Sequence, residues 1–108
     1  MSTTTSEWER MRTEDSRRVE DLLRQHFKTV DAYRYNSASL RVRIIDSRFR
    51  GLSREKRDDL VEPILAQLDE GTQADIMNLV LLYPNEVHES SSALIGNEEF
   101  EHPSPSII

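Results

Sequence analysis

Leu40-Arg-Val-Arg-Ile-Ile-Asp-Ser-Arg-Phe-Arg-Gly-Leu-Ser-Arg-Glu-Lys-Arg-Asp-Asp-Leu-Val61 carries the reading of the fold. Leu40, Val42 and Ile44 alternate with Arg41 and Arg43, the period of a strand that buries one face. Asp46 to Gly51 breaks that period, and Gly51 can take the positive φ that residues with a Cβ resist. Ser53 is a short hydroxyl placed to accept from the first free amides of a helix. Leu60, Val61, Ile64, Leu65 and Leu68 then recur at helical spacing, so a helix is expected over about 54–68. Pro63 lies inside it; its missing N–H and its ring predict a kink or a break near Asp59–Glu62.

Upstream, Val30, Ala32 and Arg34 alternate with Asp31, Tyr33 and Tyr35, and Asn36-Ser-Ala-Ser39 supplies turn chemistry. Two strands joined by a short polar turn read as an antiparallel hairpin. Before them, Thr13 or Ser16 can cap a helix over about 14–28 whose apolar face holds Val19, Leu22, Leu23 and Phe27, with His26 at its boundary. Downstream, Asp69-Glu-Gly-Thr72 ends the second helix. Ile76 to Tyr83 is apolar except for Asn78 and reads as a buried strand, and Pro84-Asn-Glu-Val-His88 starts a short helix. Residues 1–12, polar with a lone Trp8, read as a flexible arm; residues 89–108, acidic and carrying two prolines, read as a disordered tail. The folded part is 13–88. The expected class is α+β, a single domain in the order α-β-β-α(α)-β-α, with helices packed on one face of a three-stranded sheet.

At 108 residues the chain holds one domain, and 31% charged residues leave part of it outside the core. The absence of cysteine excludes disulfides, thiolate metal sites and cysteine nucleophiles. The polar start is not a secretory signal, and nothing approaches the roughly 18 apolar residues of a membrane span. A soluble cytoplasmic protein is the expectation. Charge is segregated along the chain: 8 of the 14 basic residues lie between Arg34 and Arg57, and beyond Arg57 there are 11 acidic residues and no Lys or Arg.

The element order and the central residues together resemble the BolA-like family, small proteins with a fold related to the type II KH arrangement. The resemblance rests on Leu40-Arg-Val-Arg-Ile-Ile, on Phe49-x-Gly51-x-Ser53-Arg54-x-x-Arg57 with Leu60-Val61, and on an apolar strand running into Pro84-x-Glu86. It covers about residues 16–88. It implies a non-enzymatic interaction or regulatory module. BolA-like proteins commonly place a His before the last strand and a second Cys or His between the first two strands, ligands to an iron–sulfur cluster shared with a monothiol glutaredoxin. The corresponding positions here, Ala74–Asp75 and Asn36–Ser39, hold neither, and Arg57 is followed by Asp58 where the family has a His. These residues argue against cluster sharing, and no cofactor is expected.

Arg34, Arg41, Arg43, Arg48, Arg50, Arg54, Lys56 and Arg57 are the candidate site. Converging on one face, they would bind an acidic protein partner or, in a KH-like manner, nucleic acid, with Tyr33, Tyr35 and Phe49 available for stacking. The plainer reading pairs them with the carboxylates of the chain's second half. Phe49, Gly51 and Ser53 are read as the packed anchor, the loop glycine and the cap. His88 and His102 beside Glu86, Glu89 and Glu101 are a weak metal constellation, and Asp58, Asp59 and Glu62 read as a solvated helix face. No Gly-x-Ser-x-Gly, phosphate loop or His-Glu-x-x-His occurs, and the chain is read as non-enzymatic, with a small metal-dependent or catalytic protein built on the carboxylates as the third alternative.

Overall fold

The alternation at Leu40–Ile44 becomes the central strand of the sheet. A computed structural model describes residues 6–107; residues 1–5 of the expected arm and Ile108 of the expected tail lie outside the described residues. Helix α1 spans Glu14–Arg24, strand β1 Thr29–Asn36, strand β2 Ser39–Ile45, helix α2 Arg54–Leu65, helix α3 Glu70–Asp75, strand β3 Ile76–Leu82 and helix α4 Ser91–Glu101. Single 3₁₀ turns occupy Glu7–Met11, Ser47–Phe49 and Glu86–His88. The protein is an α+β single domain around a mixed sheet of order β1-β2-β3. β1 and β2 pair as the expected antiparallel hairpin, with Arg43 opposite Asp31 and Arg41 opposite Tyr33. β3 lies parallel to β2, which a tight turn cannot achieve, so α2 and α3 serve as the crossover.

The alternation along the strands sorts two cores. Ala32, Leu40, Val42, Ile44 and Leu81 face Val19, Leu23 and Phe27 of the first helical segment and Val61 and Leu65 of α2, with Phe49 fully buried among them. This is the expected helix layer on one face. The opposite face is covered as well: Tyr33, Val80 and Leu82 bury Trp8 and Phe100. Phe100 stands edge-on to Tyr33 with ring centroids 4.8 Å apart and lies 5.4 Å from Trp8. The segment expected as tail is therefore helical over Ser91–Glu101, and the expected arm is anchored at Trp8. Composition misses both because α4 buries only Phe100, leaves Leu94 and Ile95 exposed, and so has no repeating apolar stripe.

Local chemistry sets the helix ends. Thr13 and Ser16 form a reciprocal capping box at α1, Ser53 Oγ accepts from the Lys56 amide, and Ser90 Oγ accepts from the Ala93 amide. α1 stops at Arg24, four residues before its expected end. A tight turn follows, the Phe27 amide donating to the Leu23 carbonyl, and it drops the Phe27 ring into the core while His26 stays exposed. α2 is a single helix through Pro63, so of the kink or break expected near Asp59–Glu62 the break does not occur. Pro63 is exposed and in the last turn, so it forfeits one hydrogen bond, and the chain leaves the helix only after Leu65. Gly51 has φ +79°, the left-handed conformation expected of the loop glycine.

Candidate functional site

The eight candidate cations do not converge. Arg41 and Arg43 project together from β2, but α4 lies over them. Arg41 Nη1 donates to Glu99 Oε2 at 2.8 Å and to the Tyr33 hydroxyl, and its guanidinium stacks 3.6 Å from the Tyr35 ring. Arg43 bridges Asp31 at 2.7 Å and Glu101 at 2.6 Å. Its buried Nε has no hydrogen-bond partner, and the guanidinium faces the Phe100 ring at 4.7 Å, where a ring quadrupole offsets part of the desolvation. Arg34 leaves on the other side, to Asp15 of α1 and Asp75 of α3. Arg48 folds onto Asp46, lowering that carboxyl's pKa by hydrogen bonding, and reaches the His26 carbonyl. Arg54 pairs with Asp58 one turn on, Arg50 stacks on Tyr83 at 4.3 Å, and Lys56 alone of the eight has an exposed side chain with no partner among the described residues. Internal pairing takes up most of this charge, with Asp15, Asp31 and Asp46 of the first half serving beside the expected carboxylates of the second, and Tyr33 and Phe49 are buried core residues.

The covering of the sheet is reinforced from the C-terminal end. Ser104 donates to Glu99 from both its hydroxyl and its amide, and these bonds together with Arg41 hold the Glu99 carboxyl at a pKa of about 2. Tyr33, whose hydroxyl donates to the Phe100 carbonyl at 2.8 Å, has its pKa raised, chiefly by burial.

Arg57, the last of the cations, has a different task. It is buried at the C-terminal end of β3, where its guanidinium grips Glu86 with two hydrogen bonds of 2.7 and 3.1 Å. Arg57 Nη1 also donates to the Leu81 carbonyl at 2.9 Å, and Glu86 Oε1 accepts from the Tyr83 amide at 3.1 Å. These backbone groups are the ones that point away from β2. The Leu82 carbonyl accepts from the Asp46 amide on the β2 side. Because successive residues of a strand present their backbone groups to alternate edges, Leu79, Leu81 and Tyr83 face outward. The Arg57–Glu86 pair thus closes the last part of an exposed sheet edge, a protection that edge strands need.

The rest of that edge is open. The Leu79 amide and carbonyl and the Leu81 amide face outward without a partner among the described residues. They lie in a groove of about 430 Å³ whose walls are Arg54 and Arg57 on one side and Ser92, Ala93 and Gly96 of α4 on the other. Leu79 also borders a second, separate hollow of about 330 Å³ with Glu62, Leu65, Gln73 and Ile76, on the side of α2 and α3. The other sheet edge is treated differently. On β1, Glu20 accepts from the Ala32 amide at 2.8 Å and Arg24 donates to the Val30 carbonyl at 2.8 Å, with Arg12 joining Glu20 and Asp31.

Sequence reading missed this groove because it depends on which strand lies at the edge and on where α4 packs, neither of which is a local property. The one available signal was Glu86, quoted in the Pro84-x-Glu86 motif but assigned no partner. Of the metal constellation, His102 lies 4.0 Å from Glu98, Glu86 is committed to Arg57, and no group of three His, Cys, Asp or Glu among the described residues is arranged to hold an ion. Ala74 and Asp75 end α3, with Asp75 bound to Arg34; Asn36–Ser39 form the hairpin turn. No helix of the described residues is long and apolar enough to cross a membrane. Comparison with family models, with curated proteins and with solved structures gives no match to this chain.

Proposed function

We propose that this chain is a non-enzymatic, BolA-like interaction module that docks a protein partner along the outer edge of β3. The resemblance over about residues 16–88 supports the class of function. The place rests on one observation: the outward amides of Leu79 and Leu81 and the Leu79 carbonyl have no partner among the described residues and border a groove between α2 and α4. Unpaired strand groups in a groove are what an extended segment needs in order to add itself to a sheet. Three of the basic residues serve this reading as internal fastenings: Arg41 and Arg43 hold α4, and Arg57 holds the Glu86 turn.

Gly96 provides the test. It lines the groove, and a Cβ placed there meets nothing within 4 Å, so a side chain enters the groove without disturbing α4. Gly96→Gln is expected to abolish recovery of the partner from the source cell while leaving the near-UV spectrum unchanged. A double Arg50→Ser, Lys56→Ser variant, which alters exposed basic side chains outside ion pairs, is expected to keep the partner. The reverse pattern would move the docking site to the basic surface and defeat the reading.

A further inference from the structure

We infer that the segment received at the β3 edge is an extended peptide carrying a positive charge, placed so that its cation meets Glu62; this rests on the edge-docking reading above. Asp58 and Glu62 lie one turn apart on α2. Asp58 is occupied by Arg54 at 3.1 Å. Glu62 lines the second hollow, which Leu79 of the exposed edge also borders, and has no ion pair or side-chain hydrogen bond among the described residues. The aliphatic side chains of Leu65, Ile76 and Leu79 lie around it and offer an apolar seat beside the charge.

The Arg57–Glu86 clamp sets how far the added strand can pair. Leu81 has lost its carbonyl and Tyr83 its amide to that pair, so pairing stops at the amide of Leu81. The bound stretch therefore runs from Leu81 back toward Ile76, where Glu62 borders the second hollow.

Charge also selects among occupants. A second copy would bring a formal net charge of −6 to a chain of −6. A basic segment gains where a second copy loses. The contrast between a cationic and an anionic segment is that of a solvent-facing ion pair, roughly two- to fivefold in affinity at low ionic strength.

The experiment uses the full chain, isotope-labelled, and two capped peptides of alternating valine and threonine that differ only in one central residue, lysine or glutamate. Amide shifts at Leu79 and Leu81 report edge pairing. The lysine peptide is expected to move both and to bind roughly two- to fivefold more tightly than the glutamate peptide. Glu62→Lys, an exposed substitution, is expected to invert that order, and Gly96→Gln to remove both responses. Equal affinities for the two peptides, with Leu79 and Leu81 still shifting, would overturn the cationic partner and leave edge docking standing. No shift at either amide with either peptide would overturn edge docking itself. Self-association that Gly96→Gln abolishes would assign the edge to a second copy and overturn the inference.

Discussion

Replacing Phe100 with alanine tests whether the chain beyond residue 89 belongs to the folded body. Phe100 is 1% exposed and packs on Trp8 and Tyr33. Truncating a buried phenylalanine costs about 3–5 kcal/mol when the surroundings stay in place. Here they need not stay. Besides Phe100, α4 is tied to the sheet by Arg41–Glu99 and Arg43–Glu101, whose carboxylates are 35% and 38% exposed. Their arginines are 11% and 8% exposed, so these are half-buried pairs that contribute about 1 kcal/mol each. Without its ring, α4 is therefore expected to detach while the core between the sheet and α1–α2 survives. The global loss would then be capped at the free energy that docks α4. Urea unfolding followed by far-UV circular dichroism measures the global term. Emission from Trp8, the single tryptophan, reports the local one, because detachment of α4 uncovers the indole. The expected result is a red-shifted emission below the main transition, together with a midpoint lowered by no more than the amount that corresponds to about 3–5 kcal/mol. An unchanged emission with a stability loss below about 0.5 kcal/mol would refute the second core, since surface substitutions reach only that magnitude.

Two further perturbations probe the fastenings. Glu99 has its pKa lowered from 4.5 to about 2 in the folded chain, so its contribution is fully present above the unfolded value and is lost as pH falls through the folded one. Trp8 emission titrated over pH 5–2 should show α4 loosening toward the acid end; Glu99→Gln should remove that transition, and an identical titration in the variant would dismiss Glu99 as its source. Arg57→Met leaves Glu86 half-paired and the Leu81 carbonyl without its donor, so a loss of about 3 kcal/mol is expected in urea unfolding. Adding Glu86→Gln should recover part of that loss; strict additivity of the two changes would deny the clamp.

Much of the fold was legible because it is encoded at short range. The period-two run at Leu40–Ile44, the polar turn at Asn36–Ser39, the apolar run from Ile76 and the caps at Thr13 and Ser53 each act through neighbouring residues, and each element formed where those signals stood. Boundaries moved where a tertiary contact outweighed a local rule. Burial of Phe27 ended α1 early, and an exposed position near the helix end made Pro63 harmless. The site was less legible. The sequence identified Arg57 and Glu86 as residues worth noting, and it raised self-pairing of the arginines as one of two readings. It could not say which carboxylate each guanidinium would meet.

What the amino acids determined alone is the kind of element at each place along the chain, together with the segregation of charge and the exclusion of thiol chemistry. Only the three-dimensional packing decided that β3 would be an edge, that α4 would cover the second sheet face through a single phenylalanine, and that Arg57 would close one end of the exposed strand and leave the rest open. The physical reason is range. Strand and helix periods arise from backbone geometry within a few residues, whereas ion pairs such as Arg41–Glu99 and Arg57–Glu86 join residues far apart in the chain, and their partners become neighbours only after the sheet has formed.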